Sequence, residues 1–240
     1  MRLQFAKGNA KLDGFIYSFS LLAGHTCPFA KLCRSSVSVV KGKRILTDGP
    51  HTQFRCFSAS QEVIFPAVYK ARKENSKILT VAKKSPSKAA DMLVAAIPSK
   101  CRTMRIHVSG DFASQEYFDA WLIVANLRKD IIFYAYTKAL PFWVKRIDKI
   151  PANFILTASY GGSRDDLIAT HNLRYAKVIY SENEANGLPI DHDDSHAYLP
   201  ELKNQSFCLL LHGMQPAGSE ASKVLQKLKG KGSYSRKGTK

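Results

Sequence analysis

The chain predicts an α/β fold, a parallel sheet or partial barrel. Three observations carry this. Strand and helix patterns alternate through residues 104–180, polar residues recur just past the predicted strand ends, and the first clear strand runs into a turn that presents cysteines. In α/β proteins the loops after the strands converge on one face, and ligands bind there.

Taken in order, residues 1–14 read as a leading arm or hairpin. Residues 15–22 are apolar and aromatic, a strand closed by Gly24. Residues 34–53 form a polar, Gly- and Lys-containing hairpin or loop. Residues 60–73 place Val63, Ile64, Ala67, Val68 and Ala71 at helical spacing, with Pro66 in the first turns, where a missing N–H costs least. Residues 89–97 give a second helix through Met92, Leu93 and Ala96.

The regular part follows. Residues 104–108 are a strand that breaks at Ser109-Gly110-Asp111, and Ser114 caps a helix carrying Phe118, Trp121, Leu122 and Ala125. Residues 131–136 form the next strand, ending in Thr137-Lys138, with a short helix over 141–147. Residues 154–159 form another strand, closing in Tyr160-Gly161-Gly162, before a capped helix over 163–170. Strands over 176–180 and 207–212 complete the set, and 219–228 can be a helix. One domain over 1–229 is expected, followed by a flexible basic tail over 230–240.

The apolar content, 45%, is that of a folded chain of 240 residues. No run approaches the ~18 apolar residues of a membrane span, and residues 1–7 lack a secretory signal's apolar core. A cytoplasmic protein without a membrane partner is expected. Its thiols would stay reduced, so five unevenly spaced cysteines point to metal or catalysis before disulfides. The net charge of +17 makes DNA or RNA the first partner to consider, through the basic surface and tail. The seven cations of the tail region, Lys223 to Lys240, stand without an acid.

Cys27 and Cys33 are separated by five residues, and Cys56 follows after twenty-two more. This is not the spacing of a zinc knuckle, and no second close pair completes four ligands. Three thiolates near a first strand end suit a 4Fe-4S cluster with one iron left open; three small buried hydrophobes is the plain alternative. His25 stands as a fourth ligand or a donor to the cluster. Cys101 and Cys208 read as core, with Cys208 a further candidate thiolate. The loop Asp191-His192-Asp193-Asp194-Ser195-His196 offers two imidazoles and three carboxylates, with His192 and His196 at the spacing of a helical pair, although most such loops are solvated turns. Gly161-Gly162 is too short for a phosphate loop, and no Walker or dinucleotide fingerprint occurs.

Gly8-Asn9-Ala10-Lys11-Leu12, the run from Phe19 to Pro28 with Ala30 and Cys33, Cys56-Phe57-Ser58, Ser109-Gly110-Asp111-Phe112, Phe133 to Lys138, and His212-Gly213 with residues 217–221 together resemble the phage "gene product eighty-eight" family. The Cys-Pro start and the strand-end motifs are in turn similar to radical S-adenosylmethionine enzymes. That resemblance implies a radical-SAM-like partial (β/α) barrel in which Cys27, Cys33 and Cys56 ligate the cluster. It implies that Ser109, Gly110, Asp111, Thr137, Lys138 and Ser159 bind S-adenosylmethionine, with an unidentified electron donor and a nucleic acid or nucleotide as substrate. The compact Cys-x3-Cys-x2-Cys loop of those enzymes is absent. The other expectation is a non-enzymatic nucleic-acid-binding protein with a structural cluster or zinc.

Overall fold

In the computed structural model, which describes residues 2–8 and 12–228, the chain forms one seven-stranded sheet flanked by helices, with a separate two-stranded hairpin. The leading strand β1 (Phe5–Lys7) pairs antiparallel with β2 (Ile16–Phe19). From β2 onward the sheet is parallel and follows chain order: β5 (Thr103–Ile106), β6 (Ile132–Thr137), β7 (Phe154–Ser159), β8 (Tyr175–Ile179) and β9 (Phe207–Leu210). The hairpin, β3 (Ser35–Val40) and β4 (Lys43–Asp48), lies between β2 and β5 in sequence. Its turn is Lys41-Gly42, both with positive φ, 47° and 76°, the backbone that matches the strands' own twist.

Strands laid down in one direction, each joined by a right-handed crossover, put their helices on the same face. That face buries Phe19, Met104, Ile106, Phe133, Ala135, Phe154, Leu156 and Ala158, the alternate residues of four strands. Against them pack α3 (Ile78–Lys84), α4 (Pro86–Ala96), α5 (Gln115–Leu127), α6 (Leu140–Val144) and α7 (Asp166–Thr170). The opposite face, with Ile16, Tyr134, Ile155 and Phe207, is covered by the short α8 (Ser195–Tyr198). The parallel α/β expectation therefore holds. The pairing establishes an open sheet with β1 and β9 at its edges, not a barrel.

Local chemistry sets the helix ends. Ser85 and Ser114 accept hydrogen bonds from Lys88 N and Tyr117 N, capping α4 and α5. The helix expected over 60–73 is in fact two, α1 (Phe57–Ile64) and α2 (Pro66–Ser76). Proline pushes the residue before it out of the helical region, and Phe65 is extended at φ −105°, ψ 101°, so Pro66 opens a new helix. The buried face of α1 also differs from the apolar pattern. Ser58, Ala59, Ser60 and Glu62 are buried, while Ile64 is exposed. α7 begins at Asp166, three residues later than expected, because Asp165 is committed to Gly161 N and Gly162 N. The last helix is α9 (Glu220–Leu228); the expected tail over 230–240 lies outside the described residues.

Candidate metal centre

The turn after β2 is fixed from several directions. Leu21 N donates to Ser109 O at 2.9 Å, Ala23 N to Glu62 Oε1 at 2.9 Å, and Thr26 Oγ1 to Leu22 O at 2.7 Å. Gly24 has φ +69°, a conformation that L side chains rarely adopt, and lies against Ser35 at the start of the hairpin. The segment from Phe29 to Leu32 is strapped across the end of β7, with Lys31 N and Leu32 N on Gly161 O and Ser163 N on Phe29 O. Cys27 and Cys33 thus stand at the two ends of a tethered loop.

The twenty-two residues before Cys56 are taken up by the hairpin, and its closed base returns the chain to the same place. Ser35 Oγ donates to Asp48 Oδ1 at 2.8 Å, Arg55 donates to both oxygens of Asp48, and Cys56 N donates to Ser35 Oγ at 3.3 Å. Asp48 is therefore a clamp between the second and third cysteines. Burial raises its pKa, but the hydrogen bonds from Arg55 and Ser35 outweigh this and hold it below the ordinary value of 3.8. A depressed carboxylate pKa stabilises above its unfolded value, and that stability is lost as pH falls through the folded one. Acidification below about pH 3.8 is expected to loosen the hairpin base, read as faster amide exchange in β3 and β4 before β6 and β7 open.

The three thiols are close enough to sense one another. Burial pushes Cys27 well above the usual thiol value, and the charges of Asp111, Cys56 and Cys33 add to it. Burial raises Cys56 to about 11, with Cys33 and Glu62 contributing. All five cysteines are free thiols. Three thiols and two buried carboxylates, Asp111 and Glu62, are gathered with two buried cations, Arg72 and Lys138. The raised values keep these thiols in the neutral form, and a bound cation would favour their thiolates instead.

Among the described residues no three His, Cys, Asp or Glu side chains are grouped to hold a single metal ion.

Below the thiols, the strand-end residues bond to each other. Asp111 accepts from Thr137 Oγ1 at 2.6 Å, Lys138 N at 2.8 Å and Phe112 N at 2.8 Å. Burial raises its pKa while these bonds oppose the rise. Lys138 Nζ donates to Ser159 O, Ser159 Oγ and Tyr160 O. Ser109 Oγ donates to Glu62 Oε1, and a Cβ on Gly110 would lie 2.5 Å from Thr26 Oγ1. Ser109, Gly110, Asp111, Thr137, Lys138 and Ser159 are thus brought together as a floor joining the ends of β5, β6 and β7.

Two residues that the sequence reading passed over tie this floor to the cysteines. Glu62 is fully buried, and its Oε1 accepts from Ala23 N, Ser109 Oγ and Arg72 Nη1. Arg72 also donates to Ser58 O and Gln61 Oε1. The one available signal was an acid three residues after Ala59, on the face that α1 buries.

Other candidates lie elsewhere. His25 is exposed and its Nε2 meets Val37 O at 2.9 Å, so it ties the turn to the hairpin. Cys101 and Cys208 are core residues, and Cys208 packs with Ile179, Ala185 and Leu210, not with the other thiols. Ser181, the polar residue just past the end of β8, turns aside to Glu184. Of the two histidines in the 191–196 loop only His196 is helical, which removes the helical histidine pair. Asp191 and Asp194 are instead buried against the sheet. Asp194 meets Arg105 Nη1 at 2.5 Å and the hydroxyls of Tyr134 and Tyr136, and Asp191 meets Tyr136.

Compared with known proteins, residues 2–227 match the family model described as "Gene product 88". No curated protein and no solved structure matches the chain.

Proposed function

The chain belongs to the Gene product 88 family, and for it we propose an iron–sulfur protein in which Cys27, Cys33 and Cys56 hold a 4Fe-4S cluster that acts on a nucleic acid or nucleotide. The observation that carries this is the convergence of three free thiols from positions five and twenty-two residues apart, at the strand ends of a parallel α/β sheet. Three protein ligands leave one iron open, and a cluster so held supplies one-electron reduction to whatever binds there. S-adenosylmethionine is the co-substrate that the sequence resemblance implies. The finer radical-type reading rests on the sequence resemblance; the chain-ordered parallel strands, with most helices on one face, are the coarser α/β frame for it.

The protein's own part is positional. The strap to Gly161 and the Asp48 clamp hold the two ends of the cysteine set, Phe29 packs edge-on against Phe142 at 5.3 Å beside them, and the Asp111–Lys138 floor closes the site from below. The completeness of that floor favours a second reading. Its polar side chains are already satisfied by one another, as in a centre that serves only to staple the fold. A non-enzymatic nucleic-acid-binding protein with a structural cluster is that alternative.

Anaerobic reconstitution with iron and sulfide decides between them. The wild type is expected to take up about four irons per chain with a broad visible absorption. Cys27→Ala, Cys33→Ala and Cys56→Ala should each lose most of it, while Cys208→Ala should not. A spin-resonance spectrum that changes on adding S-adenosylmethionine supports the open iron; one that does not move leaves the structural reading. A colourless protein holding a single zinc would sink the cluster.

A further inference from the structure

We propose that the distal half of the β3–β4 hairpin, its tip and the two faces either side of it, together with the end of α1, forms the surface around which a single-stranded nucleic acid lies. This rests on the reading above that the centre works on nucleic acid, and adds where the strand is held. Between residues 31 and 55 the only acid is Asp48, and it is committed to Arg55 and Ser35. Lys31, Arg34, Lys41, Lys43 and Arg44 have no carboxylate within ion-pair distance among the described residues. Such a cluster attracts a polyanion and repels a second copy of the same +17 chain, whose Lys41 and Lys43 would face their own equivalents across a twofold axis.

The distal half of the hairpin and the end of α1 also carry apolar side chains that a phosphate backbone alone would not need. Val39, Val40, Ile45, Ile64 and Phe65 are each 45–51% exposed. Pairing sets them beside the cations on each face in turn. Val40 and Ile45 share Lys43's face, turned away from α1, while Val39 stands opposite Arg44 on the face of Val37 and Leu46, and Arg44 Nε donates to Val63 O at 3.0 Å, bringing that face alongside Ile64 and Phe65. Cations for phosphates set beside exposed apolar and aromatic faces for unstacked bases are what single strands require, whereas a duplex keeps its base faces inside. The hairpin's base is built on Ser35, Asp48 and Arg55, between Cys33 and Cys56, so the element that carries this surface is anchored beside the cysteines.

The test measures anisotropy of a labelled twenty-nucleotide oligothymidylate, and of a duplex of equal length, against the full chain over a salt series. The wild type should prefer the single strand. Lys41→Gln/Lys43→Gln should weaken it at least about tenfold and lower the magnitude of the log–log salt slope by about 1.4, two phosphate contacts at ~0.7 each. Phe65→Ala should weaken it about fivefold or more with the slope unchanged. Iron content and circular dichroism of the variants should equal those of the wild type, since the substituted side chains are exposed. Wild-type binding that the variants leave intact would overturn this surface alone. A wild type that binds no oligonucleotide would overturn both the surface and the nucleic-acid partner, and stronger duplex binding would overturn the single-strand assignment.

Discussion

Gly24→Ala is expected to cost about 2–5 kcal/mol and to release iron from the reconstituted protein. The backbone share comes from φ +69°, where an L residue pays ~1–2 kcal/mol. The rest, ~1–3 kcal/mol, is overpacking. The new Cβ would press on the Ser35 carbonyl oxygen, lie 2.8 Å from its carbon and 2.9 Å from Ser36 Cβ. Most of that neighbour is backbone, at the point where the hairpin leaves the second cysteine, so relief requires moving Ser35. Ser35 in turn holds Asp48 and Cys56 N. The displacement therefore reaches both sides of the cysteine set. Gly42→Ala is the control: its φ is +76°, but nothing lies within 4 Å of its would-be Cβ, so only the backbone cost of ~1–2 kcal/mol applies. Urea titrations of both variants, with iron content measured beside them, check the difference. Equal losses for the two would refute the close approach as the cause.

Glu62→Gln is expected to destabilise the fold by about 3–5 kcal/mol, the cost of removing one partner from a buried ion pair. Arg72 Nη1 lies 3.1 Å from Glu62 Oε1, with side chains 8% and 0% exposed. Burial already lowers the Arg72 pKa, and Glu62 opposes that effect. Glutamine keeps the shape and can still accept from Ala23 N and Ser109 Oγ, so the charge is the main change. It also replaces Oε2, which has no hydrogen-bond partner among the described residues, with a buried NH2 in the same place. Removing both charges in Glu62→Gln/Arg72→Met should recover part of the loss, because no uncompensated charge remains. A double variant as unstable as the sum of the two single ones would show that the pair does not act as a unit.

Much of the sheet could be read directly from the chain. The strand at Phe154–Ser159 matches the expected range, and those before and after it shift by a residue or two, because period-two burial of apolar residues is a local pattern. The strand-end position of Asp111, Lys138 and Ser159 followed from it. What those residues touch did not. Asp111 reaches Thr137 and Lys138 across twenty-six and twenty-seven residues, and only the pairing of β5 with β6 brings them together. The apolar spacing in 60–73 misplaced the buried face of α1, since the acid there is buried by Arg72 arriving from the next helix.

The cysteine set shows the same division. By itself, the sequence determined that two thiols follow a first strand end of a parallel α/β chain, with a third twenty-two residues on, that the chain is strongly basic, and that a turn glycine precedes the first thiol. It could not determine whether twenty-two intervening residues bring the third thiol back or carry it away. Tertiary structure decided that, by folding the interval into a hairpin whose base is closed by Asp48. The physical reason is range: strand and helix periodicity is set by residues a few positions apart, while the closure of that base and the Glu62–Arg72 pair depend on groups that only the completed fold places within a few ångströms.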